Sequence, residues 1–282
     1  MCLYQICSLL RMRFAIALLC ACSVLAHAGN APPQIEVGFT ALYNLEFDRA
    51  KQQFAAYQRT YSDDPIGPAA EAAGLLFSEF QRLGVLESQF YTSDKEFGRR
   101  AGLAPDPAVR QQFDAALGRA DNLARSRVAK DPADHDGLFA LTLTSGLRAD
   151  YAALIEKRNA ASLRYTREST TWSKQLLAAH PECYDAHLAG GISQYLIGSV
   201  AAPVRWLLRL GGISGDKRAG IAELQLTAER GELLAPFARI LLAIAYVREK
   251  DTPKAIEQLS LLRSEFPANP LFAREIDRLN AE

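Results

Sequence analysis

The apolar positions between Phe237 and Pro267 follow a helical spacing and predict two short helices joined by a turn. Each helix carries apolar residues at offsets of three and four, which places them on one face. The two stripes are Leu241, Leu242, Ala245 and Tyr246, then Ala255, Leu259, Leu262 and Phe266. A hairpin of this size cannot bury its own apolar face, so the pattern predicts further hairpins stacked against it.

The same pattern occurs near the start of the chain, where the region from Gln34 to Tyr61 predicts a second hairpin. Its second helix has apolar residues spaced by four, three and four: Ala50, Phe54, Tyr57 and Tyr61. The later hairpin repeats this spacing 205 residues downstream, beginning at Ala255. Because no stretch alternates polar and apolar residues over the length of a strand, the chain is predicted to be all-α.

These two hairpins resemble the tetratricopeptide repeat (TPR) family, whose repeat of about 34 residues contains two helices. The later hairpin matches the family pattern at Leu242, Ala243, Tyr246, Ala255 and Pro267. The first hairpin matches it at Gly38, Phe47, Ala50 and Phe54, although the closing Pro65 comes late. The resemblance implies antiparallel helix hairpins stacked as a TPR-like right-handed solenoid, with protein–protein interaction as its general role.

The repeats are degenerate. The clearest are residues 34–65 and 234–267, and weaker ones cover residues 165–195 and 215–231. We expect them to form a single repeat domain over residues 29–282, with a final helix at Leu271–Leu279 packed over the last hairpin.

The first 28 residues predict a secretory signal peptide. Arg11 and Arg13 precede an apolar run, Phe14–Leu25, and Ala26-His27-Ala28 then forms a cleavage site of the A-x-A type. The run is shorter than the roughly 20 residues needed to cross a bilayer. These features predict an exported, periplasmic protein. In the alternative, Leu19–Cys22 serves as a lipoprotein cleavage box, and a lipid on Cys22 anchors the protein to the outer membrane.

The charge balance argues against a nucleic-acid partner. The chain has 32 basic and 32 acidic residues, and removing Arg11 and Arg13 with the signal leaves a formal charge of −2. Nucleic-acid-binding domains normally carry a clear basic excess. Four of the five cysteines precede residue 29, so the mature chain retains only Cys183 and cannot form an internal disulfide. No later stretch is predicted to be a transmembrane helix.

One group of residues has the spacing of metal ligands. His180, Cys183 and His187 are three and four residues apart, which suggests the alternative of a metal-dependent hydrolase. Pro181 interrupts the helix that would carry them, and no fourth ligand follows. The favoured interpretation places His180 at a helix C-terminus, where a partial positive charge is stabilising. We therefore predict no metal site, no catalytic site and no cofactor.

Two further segments have a chemical and a structural interpretation. Asp134-His135-Asp136 could form an acid–base group, but it precedes an apolar run and is favoured as a helix start. The glycine-rich residues 211–217 suggest a phosphate-binding loop. That interpretation fails because Asp216 replaces the required glycine and Arg218 replaces the Ser or Thr that should follow Lys217. We expect Asp216 to cap a helix instead.

The segment Ala202–Leu210 is the best candidate for a surface that binds a partner. Arg205 and Arg209 lie one helical turn apart, and Trp206 adds a large amphipathic ring. Tryptophan and arginine are favoured at the centres of protein interfaces, and a basic amphipathic helix can also lie on a membrane. We therefore assign partner binding to Arg205, Trp206 and Arg209. In the alternative, Trp206 packs on the helical array and the two arginines are solvated.

These observations predict a non-enzymatic scaffold for protein–protein interaction in the bacterial cell envelope. Its groove would bind a peptide or helix of a partner protein, whose identity the sequence does not reveal. A lipid-anchored assembly factor at the outer membrane is the first alternative, and the metal-dependent hydrolase is the second.

Overall fold

The computed structural model describes residues 33–86, 103–200, 206 and 214–281. Residues Pro32–Glu282 form one compact unit. The signal peptide predicted at residues 1–28 lies outside the described residues, as does much of the segment that follows the third helix.

The described residues are folded into eleven α-helices, and no strand occurs among them. The helices are α1 Pro33–Tyr43, α2 Phe47–Thr60, α3 Ile66–Arg82, α4 Pro107–Lys130, α5 His135–Asp150, α6 Asn159–Ala179, α7 His187–Ser199, α8 Lys217–Arg230, α9 Ala235–Arg248, α10 Thr252–Glu265 and α11 Pro270–Ala281. A π-helical turn, Tyr151–Ile155, follows α5, and a 3-10 turn, Tyr184–Ala186, precedes α7. The predicted all-α fold class is confirmed.

Among the described helices, each packs mainly against the one before it and the one after it. This holds for every consecutive pair from α1 to α11. A stack of this kind is the arrangement expected when amphipathic hairpins bury their apolar faces against one another. The predicted architecture of stacked helical hairpins is therefore confirmed.

The turns of the first hairpin (α1–α2) and of the later one (α9–α10) have the same backbone structure. Leu45 and Lys250 stand 205 residues apart, and both adopt a left-handed conformation with φ near 62°. The next residue in each turn, Glu46 or Asp251, donates its backbone N–H to the carbonyl five residues earlier, at 2.9 and 2.8 Å. The sequence repeat found from side-chain spacing is thus also a repeat in the backbone.

The apolar stripes of these two hairpins form the core. Tyr57 in α2 is 1% exposed, and Leu259 and Leu262 in α10 are fully buried. Burial of one such leucine contributes about 2 kcal/mol to stability. Tyr61 ends the first stripe and is 42% exposed, with its ring against that of Tyr57 at 4.7 Å between centroids.

The weak repeat at residues 215–231 contains one helix, α8, which packs against both α7 and α9. Asp216 caps it, as expected, by accepting a hydrogen bond from the backbone N–H of Ala219 at 2.9 Å. The α7–α8 contact is close because glycines face each other. A Cβ added at Gly220 would lie 2.8 Å from the carbonyl oxygen of Gly191 and 2.5 Å from the backbone nitrogen of Tyr195.

The first hairpin also contacts two distant loops, those before α9 and after α10, which the sequence did not predict. The Tyr43 hydroxyl donates to the Leu233 carbonyl at 3.0 Å, and its ring packs on Phe266 with centroids 5.2 Å apart. The Asn269 side chain donates to the Tyr43 carbonyl at 2.8 Å. We call this set the closure contact: Tyr43, Asn44, Leu233, Phe266, Ala268 and Asn269. The final helix expected at Leu271–Leu279 is observed as α11, but the last hairpin also packs against the first.

In the part of the chain that the structure describes, one stretch, His135–Ile155, is long and apolar enough by composition to cross a membrane. Two thirds of its most apolar window is buried inside the protein, which is also typical of a core helix. It contains α5, which packs against α3, α4 and α6.

Candidate functional site

Trp206, the centre of the partner-binding segment predicted from sequence, has a strongly exposed side chain. Its exposed fraction is 64%, the largest of the exposed large apolar side chains in the described part of the chain. An indole left in water loses the stabilisation that its burial would give, so an exposed tryptophan is a natural anchor for another surface. Arg205 and Arg209 lie outside the described residues.

A second candidate site joins two segments that the sequence analysis treated separately. The loop after α6 carries His180 and Cys183, and the first turn of α5 carries His135 and Asp136. The rings of His135 and His180 meet at right angles with centroids 5.2 Å apart. The Cys183 side chain lies beside the His135 ring. We call His135, Asp136, His180 and Cys183 the thiol–imidazole cluster.

Hydrogen bonds fix the two imidazole rings of this cluster. Nδ1 of His135 donates to a carboxylate oxygen of Asp136 at 2.9 Å. Nε2 of His180 donates to the backbone carbonyl of Ala133 at 2.7 Å, which ties the loop after α6 to the start of α5. About two fifths of the His135 side chain is exposed, so solvent and small molecules reach the cluster.

The local charges favour a protonated His135. Its hydrogen bond with Asp136, together with the adjacent Cys183 side chain, raises the pKa of His135 to about 10. The hydrogen bond from His135 in turn holds the pKa of Asp136 below its usual range. At neutral pH the cluster therefore contains an imidazolium held by a carboxylate, next to the sulfur of Cys183.

The acidic residues at the start of α5 also serve the helix, as the structural interpretation predicted. Asp134 accepts a hydrogen bond from the Gly137 backbone N–H at 2.7 Å and so caps the N-terminus. Arg127 from α4 donates to Asp134 at 2.9 Å and to Asp136 at 3.1 Å. Asp136 thus bonds both to this arginine and to His135.

His180, Cys183 and His187, whose spacing suggested metal ligands, do not form one group in the structure. Among the described residues, no three or more His, Cys, Asp or Glu side chains are arranged to hold a metal ion. His187 begins α7, and its ring stacks on Tyr184 with centroids 6.4 Å apart. Burial lowers the pKa of His187, in contrast to that of His135. The structure therefore brings Cys183 together with His135, from a segment 48 residues earlier, and not with His187.

Asp185, just before α7, binds a distant loop through its side chain. Its carboxylate accepts backbone N–H groups of Glu232, Leu233 and Leu234 at 2.9, 2.9 and 3.2 Å. These three donors precede α9, whereas α7 begins without a side-chain cap. Burial raises the pKa of Asp185 to about 6 even though these donors favour the charged form. Since Leu233 also belongs to the closure contact, Asp185 helps to position that contact.

The sequence did not indicate the thiol–imidazole cluster, because its members come from the start of α5 and the loop after α6, which are far apart along the chain. Local spacing described His180, Cys183 and His187 as one group, and His135 as part of another. The chemistry of each group was visible, but the packing of α5 against α6 that joins them is a tertiary property.

Comparisons with known proteins give matches among solved structures. No family model matches the sequence, and no curated protein matches it. Among solved structures, the chain is similar to the crystal structure of a thermophilic TPR protein from Thermus thermophilus. The two chains are 16% identical, the match covers 88% of this chain and 98% of the other, and the TM-score is 0.45.

Proposed function

We propose that this protein is a non-enzymatic scaffold of the bacterial cell envelope that binds a peptide or helix of a partner protein. The exposed side chain of Trp206 is the observation that supports it most directly. An interface needs a rigid surface and a few large side chains that become desolvated on binding. The hairpin array supplies the first and Trp206 supplies the second.

The surroundings of Trp206 in the chain fit a binding segment. It lies between α7 and α8, two helices that are themselves packed closely together through Gly191 and Gly220. Leu196, near the end of α7, is also 47% exposed. Arg205 and Arg209, which flank Trp206 in sequence, would supply charge recognition for an acidic or amphipathic partner.

The test is affinity capture from an envelope extract with the chain that starts at Gly29, followed by titration of the purified partner. Trp206→Ala should weaken the binding of that partner by at least about tenfold, the loss typical of an interface anchor. Leu261→Ala is the matched control, since Leu261 is 48% exposed on α10 and lies in another part of the chain. Failure to capture any protein above background with the fold intact would contradict the proposal, as would equal effects of the two variants.

The location is part of the same proposal. Export follows from the predicted signal peptide, and the mature form would begin at Gly29 in the periplasm. The mass of the purified mature protein tests this directly. A chain that begins at Cys22 with attached lipid would show the outer-membrane alternative instead.

A further inference from the structure

The thiol–imidazole cluster places a cysteine, a histidine and a carboxylate in the order used by cysteine nucleophiles. Asp136 holds Nδ1 of His135 at 2.9 Å, which leaves Nε2 as the ring nitrogen available to the Cys183 sulfur. A carboxylate that orients an imidazole, which in turn contacts a thiol, is the arrangement that activates sulfur in unrelated proteins. Two chain segments, the start of α5 and the loop after α6, are needed to build it here.

Cys183 is free and reachable. It is a free cysteine with a partly exposed side chain. Its loop is held in place, because its backbone N–H donates to the His180 carbonyl at 3.1 Å while the His180 ring is tied to Ala133. Cys183 is therefore a partly exposed residue beside His135 on a loop whose backbone is held in place.

The hydrogen bond with Asp136 and the adjacent Cys183 side chain raise the pKa of His135 to about 10 and leave it an imidazolium at neutral pH, and charged groups from several other elements lie nearby. Its own helix supplies Asp134 and Asp136, and Arg127 from α4 binds both of these. The loop after α6 supplies His180 and Glu182, whose side chains lie 3.7 Å apart, and Asp64, after α2, adds its charge to Asp136. An imidazolium beside a reacting sulfur is placed to give its proton to the group that leaves.

We propose that the thiol–imidazole cluster is a thiol–disulfide exchange site, with Cys183 as the nucleophile, His135 as the proton donor and a disulfide as the co-reactant. Cys183 loses its proton to water and attacks one sulfur of the disulfide as a thiolate, forming a new S–S bond as the old one breaks. The other half leaves as a thiolate and takes a proton from the His135 imidazolium, which regains one from water. Cys183 is thereby oxidised to a mixed disulfide, and the leaving half is reduced to a thiol.

This inference is independent of the proposed binding role of Trp206, because none of its residues lies in the segment between α7 and α8. It gives the protein a covalent chemistry in addition to its scaffold. Asp136 acts through His135 and is a positioning residue.

The experiment measures mixed-disulfide formation with oxidised glutathione by mass spectrometry. The full chain is used with Cys2, Cys7, Cys20 and Cys22 replaced by serine, so that Cys183 is the sole thiol. The native protein should react at least about tenfold faster than the same chain in urea, where the thiol has no imidazolium beside it. Cys183→Ser should abolish the product.

Two substitutions test the assigned roles. His135→Gln should slow the exchange by about tenfold or more, whereas His187→Gln, outside the cluster, should leave the rate within about twofold. Alkylation by iodoacetamide has no thiolate leaving group that needs a proton. Its rate should therefore fall less in His135→Gln than the exchange rate does. The exchange rate of the Asp136→Asn variant should lie between that of the native protein and that of His135→Gln.

Three results would overturn the proposal. The first is a native rate no faster than that in urea, which requires no variant to fold. The second is an equal effect of His135→Gln and His187→Gln on the exchange. The third is an equal fall of exchange and alkylation in His135→Gln, which would remove the proton-donor role.

Discussion

Asn269 donates its side-chain amide to the backbone carbonyl of Tyr43, 226 residues earlier, at 2.8 Å. The same side chain accepts the backbone N–H of Leu271 at 3.0 Å and so begins α11. Asn269 is 5% exposed, so both bonds are protected from water. One asparagine therefore caps the last helix and holds the first.

We expect Asn269→Asp to separate these two roles. A carboxylate still caps α11, but it cannot donate to Tyr43 and would place charge against a buried carbonyl oxygen. Loss of the donor and this repulsion should lower the free energy of unfolding by about 2 kcal/mol, measured by urea denaturation. Asn122→Asp, at an exposed position of α4, should change it by less than about 0.5 kcal/mol. Equal stability of the two variants would show that the closure contact adds nothing.

Asp185 should give the fold a component of stability that grows on acidification. Burial raises its pKa from 3.8 to about 6, so the folded state binds this proton more tightly than the unfolded chain does. The contribution is complete below pH 3.8 and is lost as the pH rises through 6. Between about pH 7 and pH 4 it amounts to about 2 kcal/mol.

Asp185→Asn removes this component. The variant should be about 2 kcal/mol less stable at about pH 7, because an amide cannot accept all three backbone N–H groups. The difference between the native protein and the variant should then widen as the pH falls towards about 4 in urea denaturation. Asp63→Asn, at an exposed position, is the control and should follow the native pH profile. A difference that stays constant or narrows on acidification would contradict the assignment.

Two glycine substitutions should have opposite effects on stability. Gly220→Ala should destabilise the protein by about 3 kcal/mol, because its Cβ would lie 2.5 Å from the backbone nitrogen of Tyr195 and force α7 and α8 apart. Gly118→Ala should stabilise it by about 1 kcal/mol, since nothing lies within 4 Å of the added Cβ and alanine is the better helix former. Thermal unfolding of both variants checks the prediction. A stable Gly220→Ala protein would show that the two helices can separate freely.

The left-handed turn residues predict a gain in stability. Lys250 is exposed and has φ of 62°, which costs a side-chain-bearing residue about 1 kcal/mol relative to glycine. Lys250→Gly should therefore raise the unfolding midpoint in urea, by up to that amount in free energy. Glu257→Gly, at an exposed position inside α10, should lower stability by about 1 kcal/mol. A loss of stability in both variants would indicate that the side chain of Lys250 makes a contact that outweighs the strain.

The sequence predicted the features of the fold that depend only on packing between neighbouring helices. The spacing of Ala50 and Phe54, repeated from Ala255, indicated the helices and their pairing because each apolar stripe needs only the next helix to bury it. It could not indicate the closure contact, since Tyr43 and Phe266 appear in the sequence as ordinary members of separate stripes. Their contact depends on how small rotations between many hairpins add up, and no local pattern records that sum.

The candidate site follows the same division. The chemistry of Cys183 and His135 was visible in their residue types, but the partner assigned to Cys183 by spacing was His187. The packing of α5 against α6 determines that the neighbour of Cys183 is His135. For Trp206 the sequence allowed two interpretations, packing on the helical array or binding a partner. The ring is exposed, and its partner-binding role stays a prediction.

The closure contact has a consequence for how the chain folds. In an open array each unit interacts only with its neighbours, so folding can begin anywhere and the ends can fray independently. Here the surface of Tyr43 remains uncovered until residues 233–269 have been synthesised and folded. The first hairpin therefore cannot complete its packing until the last hairpin has folded. This long sequence separation should slow the final step of folding. Once that step is complete, both ends are held at the same place, and the array should unfold as one cooperative unit.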